Sequence, residues 1–169
     1  MKQKEAALII IKPDGFHKGV IGNILLKFSQ ANLEIIALKI AKSSRELAEQ
    51  HYQHIKNQPF FEDVMSYFTG KYHGINNLLV IIYYGENAIK KCRKIAGATN
   101  PEEADPKSIR GSYGRITTKG TFENVVHVSS DPSEAKREIK IWFKPEDIVK
   151  NLYATKWATI AEHKEKVWA

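Results

Sequence analysis

Apolar residues fall along this chain in runs whose spacing changes from strand-like to helix-like and back. "AALIIIK", residues 6–12, is an unbroken run short enough for a buried strand, and Pro13-Asp14-Gly15 is turn chemistry that stops it. Residues 20–30 carry apolar side chains at Val20, Ile24, Leu25 and Phe28, which share one face of a helix. "LEIIALKIA", 33–41, predicts the second strand. Ser43 and Glu46 form an S-x-x-E capping box that opens a helix through about Ile55. After Pro59, "FFEDVMSYF", 60–68, predicts another helix, closed by Gly70. "NLLVIIYYG", 77–85, reads as a strand, and "ENAIKKCRKIAG", 86–97, as a helix ending in glycine. Residues 98–123 show little periodicity, and a loop of that length is uncommon unless it is functional. "NVVHVS" is the last strand. Asp131 as N-cap, Pro132 at N1 and Glu134 at N3 then open a helix to about Phe143, with Ala135, Ile139, Trp142 and Phe143 on one face.

The order is β-α-β-α-α-β-α-β-α. Setting the minor helix aside leaves βαββαβ with a closing helix. That predicts an α/β (α+β) class, a ferredoxin-like four-stranded antiparallel sheet covered by helices. Residues 1–149 are expected to form the domain, and 150–169 a C-terminal extension. Trp157, Ile160, Val167 and Trp168 make that extension apolar enough to pack, on a neighbouring subunit.

Composition narrows the picture. With 169 residues and 43% hydrophobic content, the chain suits one domain with a sizeable core. Its longest apolar run, Leu78 to Tyr84, is too short to span a bilayer, so no membrane partner is expected. Met1 to Glu5 lead into a strand-like run without a cleavage pattern, so no signal peptide is expected. A lone cysteine, Cys92, excludes an intrachain disulfide and a cysteine-rich zinc site, and a reducing cytoplasm is the simplest compartment. The net charge of +7 is spread along the chain and suits a polyanionic ligand, either nucleic acid or a small nucleotide.

No G-x-x-x-x-G-K-[ST], G-x-G-x-x-G or protein-kinase motif is present. His51 and His54, three apart on a helix, read as a solvated helix face. Four features remain. Lys12 sits where the first strand meets its turn, and Arg93 near a helix end. Arg110 lies in the long loop before Gly111, and His127 in the last strand. Strand ends gather on one edge of a sheet, where loops build sites. Three cations and a histidine there suit a phosphate ester. Taken singly, each residue reads as a solvated charge or a structural hydrogen-bonder.

Together, "IIKPDG", "HYQHIKNQPFF", "GATNP", "SIRG", "NVVH" and "EIKIWFKPEDI" resemble the nucleoside diphosphate kinase family, in that family's order, from about Ala6 to Ile148. The resemblance implies transfer of the γ-phosphate from a nucleoside triphosphate to a nucleoside diphosphate, ping-pong through a phosphohistidine, maintaining triphosphate pools. It implies Mg2+ held mainly by the nucleotide phosphates and water, with no protein metal ligand. It also implies a homo-oligomer, a hexamer favoured over a tetramer. His127 matches the nucleophile, and a neutral imidazole nitrogen near pH 7 is suited to that work. Glu138 matches the carboxylate that holds the other ring nitrogen. Lys12, Arg93 and Arg110 match phosphate-binding cations, and Thr99 a hydroxyl donor to phosphate. Asn124 matches the sugar contact and Phe60 the aromatic under the base. Phe60 reads equally as core, since Phe61 beside it is as apolar. Tyr52 and Ser129 match residues close to the histidine.

In a regular strand Ser129 shares the face of His127 and Asn124 does not, so a bend is expected near Asn124. The chain departs from the resembled pattern in two places. It reads His127-Val128-Ser129-Ser130 where H-G-S-D is usual, and a left-handed backbone at Val128 would be strained. It reads Arg110-Gly111-Ser112-Tyr113 where R-G-D-F is usual. The span to Asn124 is also longer by about four residues, which leaves the second base contact unassigned. The rival reading is a nucleic-acid-binding module on the same sheet. Only the +7 charge supports it, and "RGSYG" is a faint echo of an RNA-binding signature. Nucleic-acid binding is therefore not expected as the main function.

Overall fold

The structure, a computed structural model, describes residues 4–157. In chain order the elements are β1 (Lys4–Ile11), α1 (Pro13–His17), α2 (Ile21–Ser29), β2 (Glu34–Lys42), α3 (Arg45–His51), α4 (Phe61–Phe68) and β3 (Asn77–Glu86). They continue with α5 (Ala88–Ala96), α6 (Ile109–Tyr113), β4 (Arg115–Ile116), β5 (Phe122–Glu123), β6 (Val126–Val128) and α7 (Pro132–Trp142). The main sheet has the order β2-β3-β1-β6 with every pair antiparallel. This is the expected ferredoxin-like α+β fold.

β1 is continuous in apolar residues because helices cover both faces of the sheet. Ala7, Ile9 and Ile11 pack with Ile24 and Phe28 of α2 and with Ile89, Cys92 and Ala96 of α5. Ala6, Leu8 and Ile10 point the other way. They meet Ala48 of α3, Phe61, Met65 and Phe68 of α4, and Ile139 and Trp142 of α7. The register Ile10↔His127 sets His127 on this second face.

Several local expectations need correction. Pro13-Asp14-Gly15 does not merely turn: it opens α1, with Pro13 in the first turn where a missing N–H costs nothing. Ser44, not Ser43, caps α3, its Oγ accepting from Leu47 N at 3.2 Å. The reason is that β2 runs one residue further than expected, so the Ser43 N–H is taken by the Asn76 carbonyl. α3 stops at His51, and a 3-10 turn over Gln53–Ile55 follows. Residues 98–123 are not structureless. They hold α6, capped by Ser108, and the β4–β5 hairpin, whose elements are too short to show a period.

Beyond α7, Leu152 and Tyr153 pack against the second face, while Trp157 is fully exposed. Ile160, Val167 and Trp168 lie outside the described residues. Edge strand β2 leaves Ile35, Leu38 and Ile40 exposed. Among the described residues no helix is long and apolar enough to cross a membrane.

Candidate active site

The site forms where β1 ends beside the entry to β6. The Lys12 N–H donates to the Val125 carbonyl at 2.8 Å, and buried Asp14 accepts from the Val125 N–H at 3.1 Å. Between these bonds Val125 has φ 54° and the Val126 N–H returns to the Asn124 carbonyl, a γ-turn. A branched residue in that region costs about 1–3 kcal/mol and persists only where its surroundings hold it. The turn is the expected bend. It breaks strand parity, so Asn124 and His127 line the same cavity. Val128, where strain was a concern, is not among the left-handed residues.

Ser129 bonds to the β1 backbone, its Oγ accepting from the Leu8 N–H at 3.2 Å, and it donates to Glu138 Oε2 at 2.5 Å. Glu138 sits on the inward face of α7 and is almost fully buried. Its Oε1 lies 2.9 Å from His127 Nε2. That is hydrogen-bond distance, with the oxygen off the axis of the ring N–H. Nδ1 is then the nitrogen available to the cavity. Burial lowers the His127 pKa well below the ordinary imidazole value, and Lys12 and Arg110 lower it further. The ring is therefore neutral at pH 7, with a lone pair to offer. Burial raises the Glu138 pKa, opposed by His51 and by the Ser129 hydroxyl.

The cavity has a volume of about 580 Å³. Of the residues picked out from the sequence, all but Ser129 line it: Lys12, Tyr52, Phe60, Arg93, Thr99, Arg110, Asn124, His127 and Glu138. Lys12 Nζ donates to Asn124 Oδ1 at 2.7 Å, and Asn124 Nδ2 donates to the Thr99 carbonyl at 2.8 Å. Burial, reinforced by Arg110 and opposed by Asp14, lowers the Lys12 pKa to about 7. Arg110 is pinned by carbonyls, Nη2 on Val126 at 3.0 Å and Nη1 on Gly97 at 2.9 Å, and burial lowers its pKa to about 10. Such fixed cations in a shielded cavity stabilise phosphate charge more than cations in water do. Phe60 is 49% exposed while Phe61 is 7% exposed, which separates the ring free to stack from the ring in the core. The acidic groups lining the cavity besides Glu138 are Asp63 and Glu134.

Four participants were missed in the sequence. His51 is not on a solvated face: it is fully buried, with its ring edge-on to His127 at 4.4 Å between centroids. Only His54 is exposed as expected. A usable signal existed, because Ala48, His51 and Tyr52 fall at inward helical spacing and all are buried. Asp14, inside "IIKPDG", holds the Val125 turn. Thr121 and Phe122, in the lengthened segment, line the cavity on the β4–β5 hairpin, which Glu123 anchors to Arg115 at 2.5 Å and Lys18 at 3.5 Å.

Comparison with known proteins places this geometry. The sequence profile described as "Nucleoside diphosphate kinase" matches residues 5–148. The nucleoside diphosphate kinase of Thermococcus kodakarensis is 40% identical over 156 residues, 92% of this chain and 86% of that protein. The crystal structure of the Aquifex aeolicus nucleoside diphosphate kinase superposes with a TM-score of 0.78 at 36% identity, covering 87% of this chain and all of that one. A transition-state mimic of the Borrelia burgdorferi enzyme, with bound vanadate and ADP, superposes equally well, with a TM-score of 0.78 at 28% identity over 88% of this chain and 92% of that one.

Proposed function

The chain belongs to the nucleoside diphosphate kinase family, whose activity is phosphate transfer between nucleotides, and on that premise we propose that it works by ping-pong through a phosphohistidine at His127. The observation that carries this reading is a neutral imidazole beside a buried carboxylate, in a cavity that also holds Lys12, Arg93 and Arg110.

In the first half-reaction the Nδ1 lone pair attacks the γ-phosphorus. The bond from that phosphorus to the bridging β-phosphate oxygen breaks, and the nucleoside diphosphate leaves with the electron pair. The Nε2 proton stays on the ring, facing Glu138, which balances the positive charge that develops there. In the second half-reaction a terminal β-phosphate oxygen of an acceptor attacks the same phosphorus, and the P–N bond returns its pair to Nδ1. Lys12, Arg93, Arg110 and the Thr99 hydroxyl hold phosphate charge throughout. Phosphoryl transfer asks chiefly for positioning and charge neutralisation. Phe60 stacks the base, Asn124 meets the sugar, and Tyr52 and Ser129 support the histidine and its carboxylate. Stacking uses the π-face common to every base, which suits an enzyme that serves the general nucleotide pool.

Mg2+ fits as an ion carried by the nucleotide. Glu138 is taken by Ser129 and His127, which leaves Asp63 and Glu134 rather than an all-protein oxygen cage. It would screen phosphate charge, and the chain's own residues would do the rest. A cytoplasmic homo-oligomer, a hexamer rather than a tetramer, completes the reading. The exposed Ile35, Leu38 and Ile40 on edge strand β2 support a second copy there, and exposed Trp157 supports packing of the 150–169 extension on a neighbour. Light scattering of the purified protein measures the assembly.

The deciding experiment incubates the enzyme with γ-labelled ATP and washes away nucleotide. The expected label is lost in acid, kept in base and absent from His127→Ala. A label that survives acid, or persists in the variant, would overturn the phosphohistidine.

A further inference from the structure

His51 is the last residue of α3 and has no exposed surface. Trp142 Nε1 donates to its Nδ1 at 3.3 Å. An indole N–H can only donate, so Nδ1 carries no proton, and a neutral His51 holds its single proton on Nε2. That Nε2 is buried and has no hydrogen-bond partner among the described residues. It belongs to a cluster in which one ligand-type atom each of His51, His127 and Glu138 lie within 4.8 Å of one another. An orphaned buried N–H costs about 1–3 kcal/mol. Glu138 is the carboxylate of that cluster, with one ligand-type atom within 4.8 Å of one of His51, and His127, the third member, has its Nε2 2.9 Å from the same carboxylate.

We propose that His51 is a positioning residue for phosphoryl transfer: Trp142 fixes it as the neutral Nε2–H tautomer, and that N–H, with the Ser129 hydroxyl, steers the Glu138 carboxylate onto His127. The proposal rests on His127 being the nucleophile. As Nδ1 bonds phosphorus, the His127 ring becomes positive, and Glu138 must be aligned with it at that moment. A neutral donor aligns the carboxylate without adding a second positive charge. A protonated His51, edge-on at 4.4 Å, would oppose the charge forming on His127. The groups acting on His51 are His127 from β6, Glu138 and Arg137 from α7, and Lys12 from the end of β1. Of these only Glu138 favours a charged His51, and burial outweighs it.

Two histidines and a glutamate also form a set that would suit zinc. The tautomer argues against it, because the Nε2 lone pair a metal needs is occupied by the proton that Trp142 forces there.

The test has a structural and a kinetic arm. Nitrogen NMR of the full-length enzyme should show His51 as the neutral Nε2–H tautomer at pH 7. Trp142→Phe keeps a ring and removes the donor. In it the tautomer should become mixed, the acid limb of kcat should move to higher pH, and kcat should fall about tenfold with nucleotide KM within about twofold. His51→Gln, whose amide N–H stands in for Nε2–H, should retain more activity than His51→Leu. It also keeps the test open if Trp142→Phe fails to fold. An Nδ1–H tautomer in the wild type would overturn the proposal. So would a kcat profile unmoved in Trp142→Phe, or His51→Gln no better than His51→Leu. Tight, His51-dependent zinc binding would replace it with a metal site. The phosphoenzyme assay on His127 reports separately whether the nucleophile reading itself holds.

Discussion

The two faces of the sheet share β1 yet are built differently. The face under α2 and α5 is packed from apolar side chains such as Ile9, Ile24, Phe28 and Ile89, with the buried Tyr83 ring and the Cys92 thiol beside them. The face under α3, α4 and α7 buries more aromatic rings, those of Tyr52, Phe61, Phe68, Trp142 and Phe143, and sets His51, Ser129 and Glu138 among them. Among the described residues, buried polar side-chain atoms without a hydrogen-bond partner include His51 Nε2, His127 Nε2 and Tyr67 Oη, all on residues at or beside the cavity. The first face meets only a packing requirement. The second accepts the cost of incompletely satisfied polar groups, which native structures concentrate where a ligand or reaction uses them.

Substitutions can set the two faces against each other. The largest expected effect is Phe28→Ala on the apolar face. Phe28 is fully buried, and its loss should cost about 3–5 kcal/mol in urea unfolding. The kcat of the folded fraction should not change; a parallel loss of kcat would show that the faces are not separable.

Lys12→Met acts on the other face, and we expect phosphate transfer to fall by about 10²–10³-fold. Its effect on stability depends on pH. The Lys12 pKa is lowered to about 7 in the fold, from 10.5 for the ordinary group. Between those values the unfolded chain binds the proton and the native chain does not, so wild-type stability rises with pH across that window. Below it both states are protonated and the burial penalty is felt in full. The stability difference between the two proteins should therefore move in favour of the lysine form from pH 7 towards 10, by on the order of a few kcal/mol. A difference independent of pH would refute the buried-amine account.

The smallest effect belongs to Phe122→Ala at the rim. If this half-exposed ring gives the base a second stacking surface, nucleotide KM should rise about fivefold, within the range of one stacking contact, with kcat and Tm nearly unchanged. An unchanged KM would show that Phe122 gives the base no such surface.

Much of this was legible beforehand because the signals were local. The run at 6–11, the helix face through Ile24 and Phe28, and the Asp131-Pro132 start each rest on neighbours in sequence, and each appears in the fold. The failures have distinct physical causes. Ser43 looked like the cap, but one more ladder bond on β2 moved that role to Ser44. Phe60 and Phe61 were indistinguishable because hydrophobicity does not say which of two neighbours precedes the first helical turn. His51 pairs with His54 at a spacing that suits a solvated face, while its spacing from Ala48 points inward. The parity clash between Asn124 and Ser129 announced a bend, but not that Val125 would carry it, since that depends on Lys12 and Asp14 more than a hundred residues away.

The Val125 turn also insulates the strand that follows it. The alternation of β6 is locked by its pairing with β1, from Val125 on Lys12 to Ser129 on Leu8, and not by the chain that arrives from the β4–β5 hairpin. Residues added or removed upstream of Asn124 therefore cannot shift the phase in which His127 faces the cavity. The hairpin is a module whose length evolution or an engineer is free to vary, redrawing the rim of the pocket while the His127 ring keeps its place.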